Sequence, residues 1–141
     1  MNKYFLSFVI LLLSCCVRAQ TGTAVNVPGV VRAAFQKAYP GVAGNWEKEG
    51  RAYEVEFKKG GKAMSCVINS RGTIVETETE IRPGHLPAAA RSYLQAHYPG
   101  QAVKEAARIV KAGGLLEFEA NVGAMDVLFD ANGNFIRTVK D

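Results

Sequence analysis

Apolar residues recur at Val27, Val30, Val31, Ala34, Phe35, Ala38 and Tyr39, the i, i+3, i+4, i+7 spacing of one helical stripe. The same spacing returns at Leu86, Ala89, Ala90, Tyr93, Leu94, His97 and Tyr98. Pro28 and Pro87 suit helix starts, where a missing N–H costs nothing, and Pro40-Gly41 and Pro99-Gly100 stop both helices. Between and after the helices the period changes to two. Tyr53, Val55 and Phe57 alternate with Glu54, Glu56 and Lys58, which predicts a half-buried strand. Gly60-Gly61 turns the chain, and Met64, Cys66 and Ile68 form the next inward-facing set. Trp46 to Glu49 precedes these strands as a shorter one, and Thr73 to Glu80 follows them. A second series runs Val103 to Lys111, Leu115 to Asn121, Ala124 to Phe129 and Asn134 to Lys140.

The two series match each other. Val27-Pro28 corresponds to Leu86-Pro87, and Tyr39-Pro40-Gly41 to Tyr98-Pro99-Gly100, at an offset of 59. Tyr53 to Glu56 corresponds to Leu116 to Glu119 at 63, and Met64 to Ile74 to Met125 to Phe135 at 61. Loop-length changes of that size cost little. The expected fold class is α+β: two tandem repeats of helix plus four antiparallel strands, residues 26–81 and 85–141. Short hairpins require antiparallel neighbours. The economical assembly is one antiparallel sheet with both helices on one face, a single shared interior, and a wet opposite face of Glu, Lys and Thr.

Residues 1–19 read as an export signal. Lys3 gives a positive start, residues 5–13 an apolar run too short for a permanent span, and Val17-Arg18-Ala19 a cleavage site before Gln20. Leu12-Leu13-Ser14-Cys15 offers a competing route, a lipobox with a lipid anchor on Cys15. Either route leads to a periplasmic or secreted protein, with residues 20–25 a flexible lead-in. With Lys3 and Arg18 removed, the net charge falls from +4 to +2. The basicity therefore gives no case for nucleic acid as a partner. Cleavage also leaves Cys66 as the lone thiol, so no internal disulfide forms.

Candidate chemistry is sparse. His97 falls on the apolar stripe and is expected to pack against the sheet; His85 precedes the second helix. Twelve residues apart, they lack the i, i+4 spacing of two ligands on one helix face. Cys66 lies on the inward set, where a thiol behaves as a small hydrophobe. Asp130-Ala131-Asn132-Gly133-Asn134 superficially offers oxygens at alternate positions. Its Gly is misplaced for a calcium loop and no closing Glu follows, so a β-turn is expected. No metal, cofactor or catalytic residue is assigned. Glu76, Glu78 and Glu80 share one face of their strand, which is either a solvated face that discourages edge pairing or an acidic binding face. Arg137 and Lys140 stand where the second copy would repeat it. Trp46 is the remaining candidate for a partner contact.

The Leu/Val-Pro helix start, the Tyr-Pro-Gly helix end and the strand–Asp/Asn-x-x-Gly–strand hairpin each occur twice. In these motifs residues 26–141 resemble the PepSY-like, β-lactamase-inhibitor-like group of small exported bacterial proteins. The resemblance implies no enzyme activity and a role in binding or inhibiting another exported protein, such as a hydrolase. The chain lacks the disulfides and inserted acidic loop of the β-lactamase inhibitor protein itself, so no binding residues carry over. The alternative expectation is a periplasmic protein that binds a small ligand or cation between sheet and helices, with His97 and the tyrosines at the mouth.

Overall fold

The computed structural model describes residues 25–140, so the expected export signal and the lipidation site at Cys15 lie outside the described residues. Helix α1 spans Gly29–Ala38 and α2 spans Ala88–His97. Pro28 and Pro87 stand at the N-caps, one residue ahead of the first turn. The carbonyl of Pro28 accepts from Arg32 N at 3.1 Å and that of Pro87 from Arg91 N at 3.1 Å, which starts both helical ladders. Tyr39 N donates to Phe35 O and Tyr98 N to Leu94 O, closing the last turns. At 10 residues each, the helices are too short to hold their shape without the sheet beneath them. Among the described residues no helix is long and apolar enough to cross a membrane.

Eight strands make one antiparallel sheet in simple chain order. β1 (Asn45–Glu49), β2 (Ala52–Lys59), β3 (Lys62–Asn69) and β4 (Ile74–Ile81) follow α1. β5 (Val103–Lys111), β6 (Leu116–Val122), β7 (Met125–Asp130) and β8 (Phe135–Lys140) follow α2. The sequence pattern places every strand start within two residues of the one observed. β4 pairs directly with β5, Thr77 opposite Val110, so the sheet runs unbroken through the middle of the chain.

Cross-strand partners share a face, so the register sorts every side chain. Trp46, Val55, Cys66 and Thr77 lie in one row on the helix side, as do Ile81, Ala106, Ala120 and Val127. Both helices cover this same face. Val27, Val31 and Phe35 pack on Val55, Phe57, Cys66 and Ile68; Leu86, Ala90 and Leu94 pack on Ala106, Ala120, Val122, Val127 and Phe129. These are two clusters, one beneath each helix, rather than the single shared interior that the pattern predicts. The reason lies in β4 and β5. Thr77, Thr79 and the exposed Arg108, with half-buried Val110 opposite Thr77, occupy the helix-side positions between the clusters and form a largely polar seam.

Turns seat the helices. The β3–β4 turn brings Gly72 against α1 and the β7–β8 turn brings Gly133 against α2, at φ +81° and +86°. A Cβ on Gly133 would stand 2.8 Å from Ala90 N, so only glycine allows both that φ and that approach.

Candidate functional site

The face opposite the helices carries acids on most of its strands, from β1 to β7. Glu47 and Glu49 on β1 and Glu54 and Glu56 on β2 point to it, because Trp46 and Val55 point the other way. Glu76, Glu78 and Glu80 join them from β4. The second half contributes as well, with Glu105 on β5, Glu117 and Glu119 on β6 and Asp126 on β7. Every glutamate of the sequence lies on this one face. Two expectations are corrected here. The acidic face is not confined to the first half, because Glu117 and Glu119 of β6 repeat Glu54 and Glu56 of β2 and Asp126 of β7 joins them, although β8 carries no acid. Nor is it wet. Glu54, Glu78, Glu117, Glu119 and Asp126 are all buried, Glu78 with 9% of its surface exposed and Asp126 with none.

Crowding removes the water. The long stems lie over short or apolar neighbours: Ser65 on β3, Ala107 and Ile109 on β5, and Leu128 on β7, all buried. Few bases share the face, namely Lys58, Lys111 and Arg137. Lys111 Nζ stands 3.5 Å from Glu76 Oε2 and 3.2 Å from Glu117 Oε2. Asn121 Nδ2 donates to Asp126 Oδ1 at 2.9 Å. Glu49 buries an oxygen that no hydrogen-bond donor reaches. Glu78, opposite Ser65 and Ile109, makes no hydrogen bond or ion pair among the described residues.

Protonation follows from this packing. Burial, partly opposed by a hydrogen bond from Ser65 and reinforced by Glu49, Glu56 and Glu47, pushes Glu54 from the usual 4.5 up to about 7. Burial and then the negative charges of Glu119, Glu76, Glu54 and Asp126 raise Glu78 well above the ordinary carboxylate range. Burial also raises Glu76, against the pull of Lys111. Glu49 and Glu56 are raised by burial, Glu49 also by Glu76 and Glu56 also by Glu47. At neutral pH the face is a mixture of carboxylates and carboxylic acids.

The remaining candidates lie elsewhere. Trp46 is on the helix side, edge-on to Phe35 at 5.5 Å with Arg32 over its ring, so the structure does not bring it together with Glu76, Glu78 and Glu80. His97 is exposed rather than packed on the sheet; it follows the last buried turn of α2 and stacks on Tyr93 at 4.0 Å. His85 is exposed in a 3-10 turn, Pro83–His85. Cys66 is fully buried, its Sγ 3.4 Å from Thr77 Oγ1, and burial pushes the thiol pKa up, away from a reactive thiolate. Asp130 accepts from Asn132 N, Asn134 N and Asn134 Nδ2, an Asx turn whose hydrogen bonds hold the carboxyl below its ordinary value. Asn69 closes the β3–β4 turn the same way, accepting from Arg71 N and Thr73 N. Among the described residues no group of three His, Cys, Asp or Glu is placed to hold a metal ion. A cleft of about 520 Å³ opens at the end of α2 between Leu86, Leu94, Tyr98 and Val103, with Arg91 at its rim and His97 outside it.

No known family profile matches the chain, and no curated protein does. Solved structures do. A protein described as periplasmic from Bacteroides eggerthii superposes with a TM-score of 0.73 at 21% identity, over 81% of this chain and 88% of its own. A DUF2874 family protein from Bacteroides uniformis gives 0.72 at 21% identity, over 80% and 88%. A BLIP-like protein from Bacteroides fragilis gives 0.66 at 20% identity, over 82% and 87%. At such identities the likeness establishes the fold.

Proposed function

We propose that the chain is an exported, non-catalytic binding module whose open sheet face docks another exported protein. One observation carries this reading: Glu78 and its neighbours are held nearly out of water on a face that no described element covers. A buried carboxylate without a cation is costly, and solvated glutamates at the same positions would serve a surface equally well. Such cost concentrates at functional sites, where a partner offsets it. The eight-stranded face is also large enough for a standard interface of about 800 Å² per partner.

Export rests on the apolar leader and fits the periplasmic description of one structural neighbour. The BLIP-like neighbour, named for an inhibitor fold, supports docking on a hydrolase as the form that binding takes. We read the two halves as copies of one helix-and-four-strands unit, because each turn glycine seats the helix of its own half. A small-ligand reading rests on the cleft beside Tyr98, but its rim carries no converging set of charged groups, and the carboxylate face is the stronger candidate.

Photo-crosslinkers placed at Val67 on the open face and at Val30 on the exposed side of α1 test this in producing cells. Adducts from Val67 alone are the expected outcome. Adducts from Val30 alone, or a small molecule co-purifying in place of protein, would reverse it.

A further inference from the structure

The distribution of charge on the open face narrows the partner. Around Glu78 acids stand on β2, β4 and β6, while the strands between them carry Ser65 and Val67 on β3 and Ala107 and Ile109 on β5, with Lys111 and Glu105 toward the ends of β5. Neighbouring strands lie about 4.8 Å apart, so carboxylate rows about 9.6 Å apart flank a floor of short or apolar side chains. Along β4 the acids repeat every second residue, about 6.6–7 Å, the same repeat at which an extended guest strand presents its own side chains. The bases of this face act on Glu76 and Glu117 rather than on Glu78, Arg137 through its charge on Glu76. Lys111 is held between Glu76 and Glu117, and Lys58 lies toward the end of β2. Glu78, with 9% of its surface exposed and no hydrogen bond or ion pair among the described residues, is the central acceptor of the face, and Glu49 at its edge buries a second oxygen without a donor.

We propose that this face takes a cationic polypeptide segment of the partner, arginine- or lysine-bearing and extended, with Glu78 receiving one of its charged groups at the centre. The proposal deepens the docking reading and rests on it. A guanidinium suits the site best, because its flat fork bonds two carboxylates at once and its faces tolerate an apolar floor such as Ile109. A bare metal ion fits poorly, since no three ligands converge among the described residues.

Proton exchange accompanies the binding. Glu54 on β2 and Ser65 on β3 face Glu78 from one side; Ile109 on β5 and the acids Glu119 and Asp126 on β6 and β7 face it from the other. On its own strand stand Glu80 and Glu76, the latter held by Lys111 and drawn down by Arg137 of β8. The raised pKa values of Glu54 and Glu78 mean that an incoming cation displaces protons. Affinity therefore rises with pH through about 7.

The test uses the mature chain and a fluorescent peptide of alternating arginine and serine, read by anisotropy. An alternating glutamate–serine peptide, spermine and calcium serve as comparison probes. The expected result is binding of the arginine peptide alone, stronger at pH 8 than at pH 5. Glu78→Gln should weaken it about tenfold or more, and Glu47→Gln, at the exposed edge, by less than about twofold. Hydrogen exchange of the wild-type complex, which needs no variant to fold, should show protection on β4 and β6. Binding unaffected by Glu78→Gln, protection confined to the helix side, or spermine or calcium binding as tightly as the peptide would each overturn the proposal. The two readings fail separately. If crosslinks from Val67 reach a partner segment without cations, only the cationic proposal falls; if the crosslinks map to α1, both do.

Discussion

Phe35 and Glu78 lie on opposite faces of the same sheet, 1% and 9% exposed, and their burial acts in opposite directions. Phe35 meets the rings of Tyr39, Trp46 and Phe57 at 5.0–5.5 Å, and removing its area from water stabilises the fold. Glu78 meets Glu119, Glu76, Glu54 and Asp126, and removing its charge from water costs stability until it holds a proton. One face explains why the chain folds. The other is tolerated by the fold.

Unfolding measurements on a few variants test this contrast between the faces. Phe35→Ala should have the largest effect, a loss of about 3–5 kcal/mol in urea unfolding that is nearly independent of pH. The open face should respond in the opposite sense. Glu54 carries a folded pKa above its unfolded one, so its favourable state is complete below about 4.5 and is lost as pH rises through about 7. Thermal melts should therefore show higher stability at pH 5 than at pH 8. Glu54→Gln should recover on the order of 1–2 kcal/mol at pH 8, after allowance for solvent screening, and nothing at pH 4. A variant less stable at both pH values would show that its carboxylate stabilises the fold. Lys111→Met should cost about 1 kcal/mol at pH 8, because Glu76 and Glu117 lose the ammonium between them, and the cost should shrink as the pH falls and Glu76, raised by burial, takes up its proton. Glu47→Gln, on an exposed edge position, should change stability by less than about 0.5 kcal/mol at any pH.

The helix-covered face was legible because its information is local. A stripe such as Val27–Val31–Phe35 or an alternation such as Tyr53–Val55–Phe57 is complete within one element. The acidic face was half legible for the same reason: Glu76, Glu78 and Glu80 announce a shared face within β4. Their meeting with Glu117, Glu119 and Asp126 depends on β4 pairing with β5 across a connection that contains all of α2, and no local spacing encodes that register. Burial of those carboxylates was hidden too, since it arises from stems on three strands crowding one another. His97 misled for a simpler reason. His97 sits on the edge of the α2 stripe, where the ring turns to Tyr93 while Tyr98, one residue on, keeps contact with the core.

The seam of Thr77, Thr79 and Arg108 has a mechanical consequence. At that seam β4 and β5 are joined by peptide hydrogen bonds and, on the open face, by the Lys111–Glu76 ion pair, while at one end Ile81 and Ala106 carry the second cluster across. A change of twist along that line would therefore open the second cluster at Ile81 and leave the first whole.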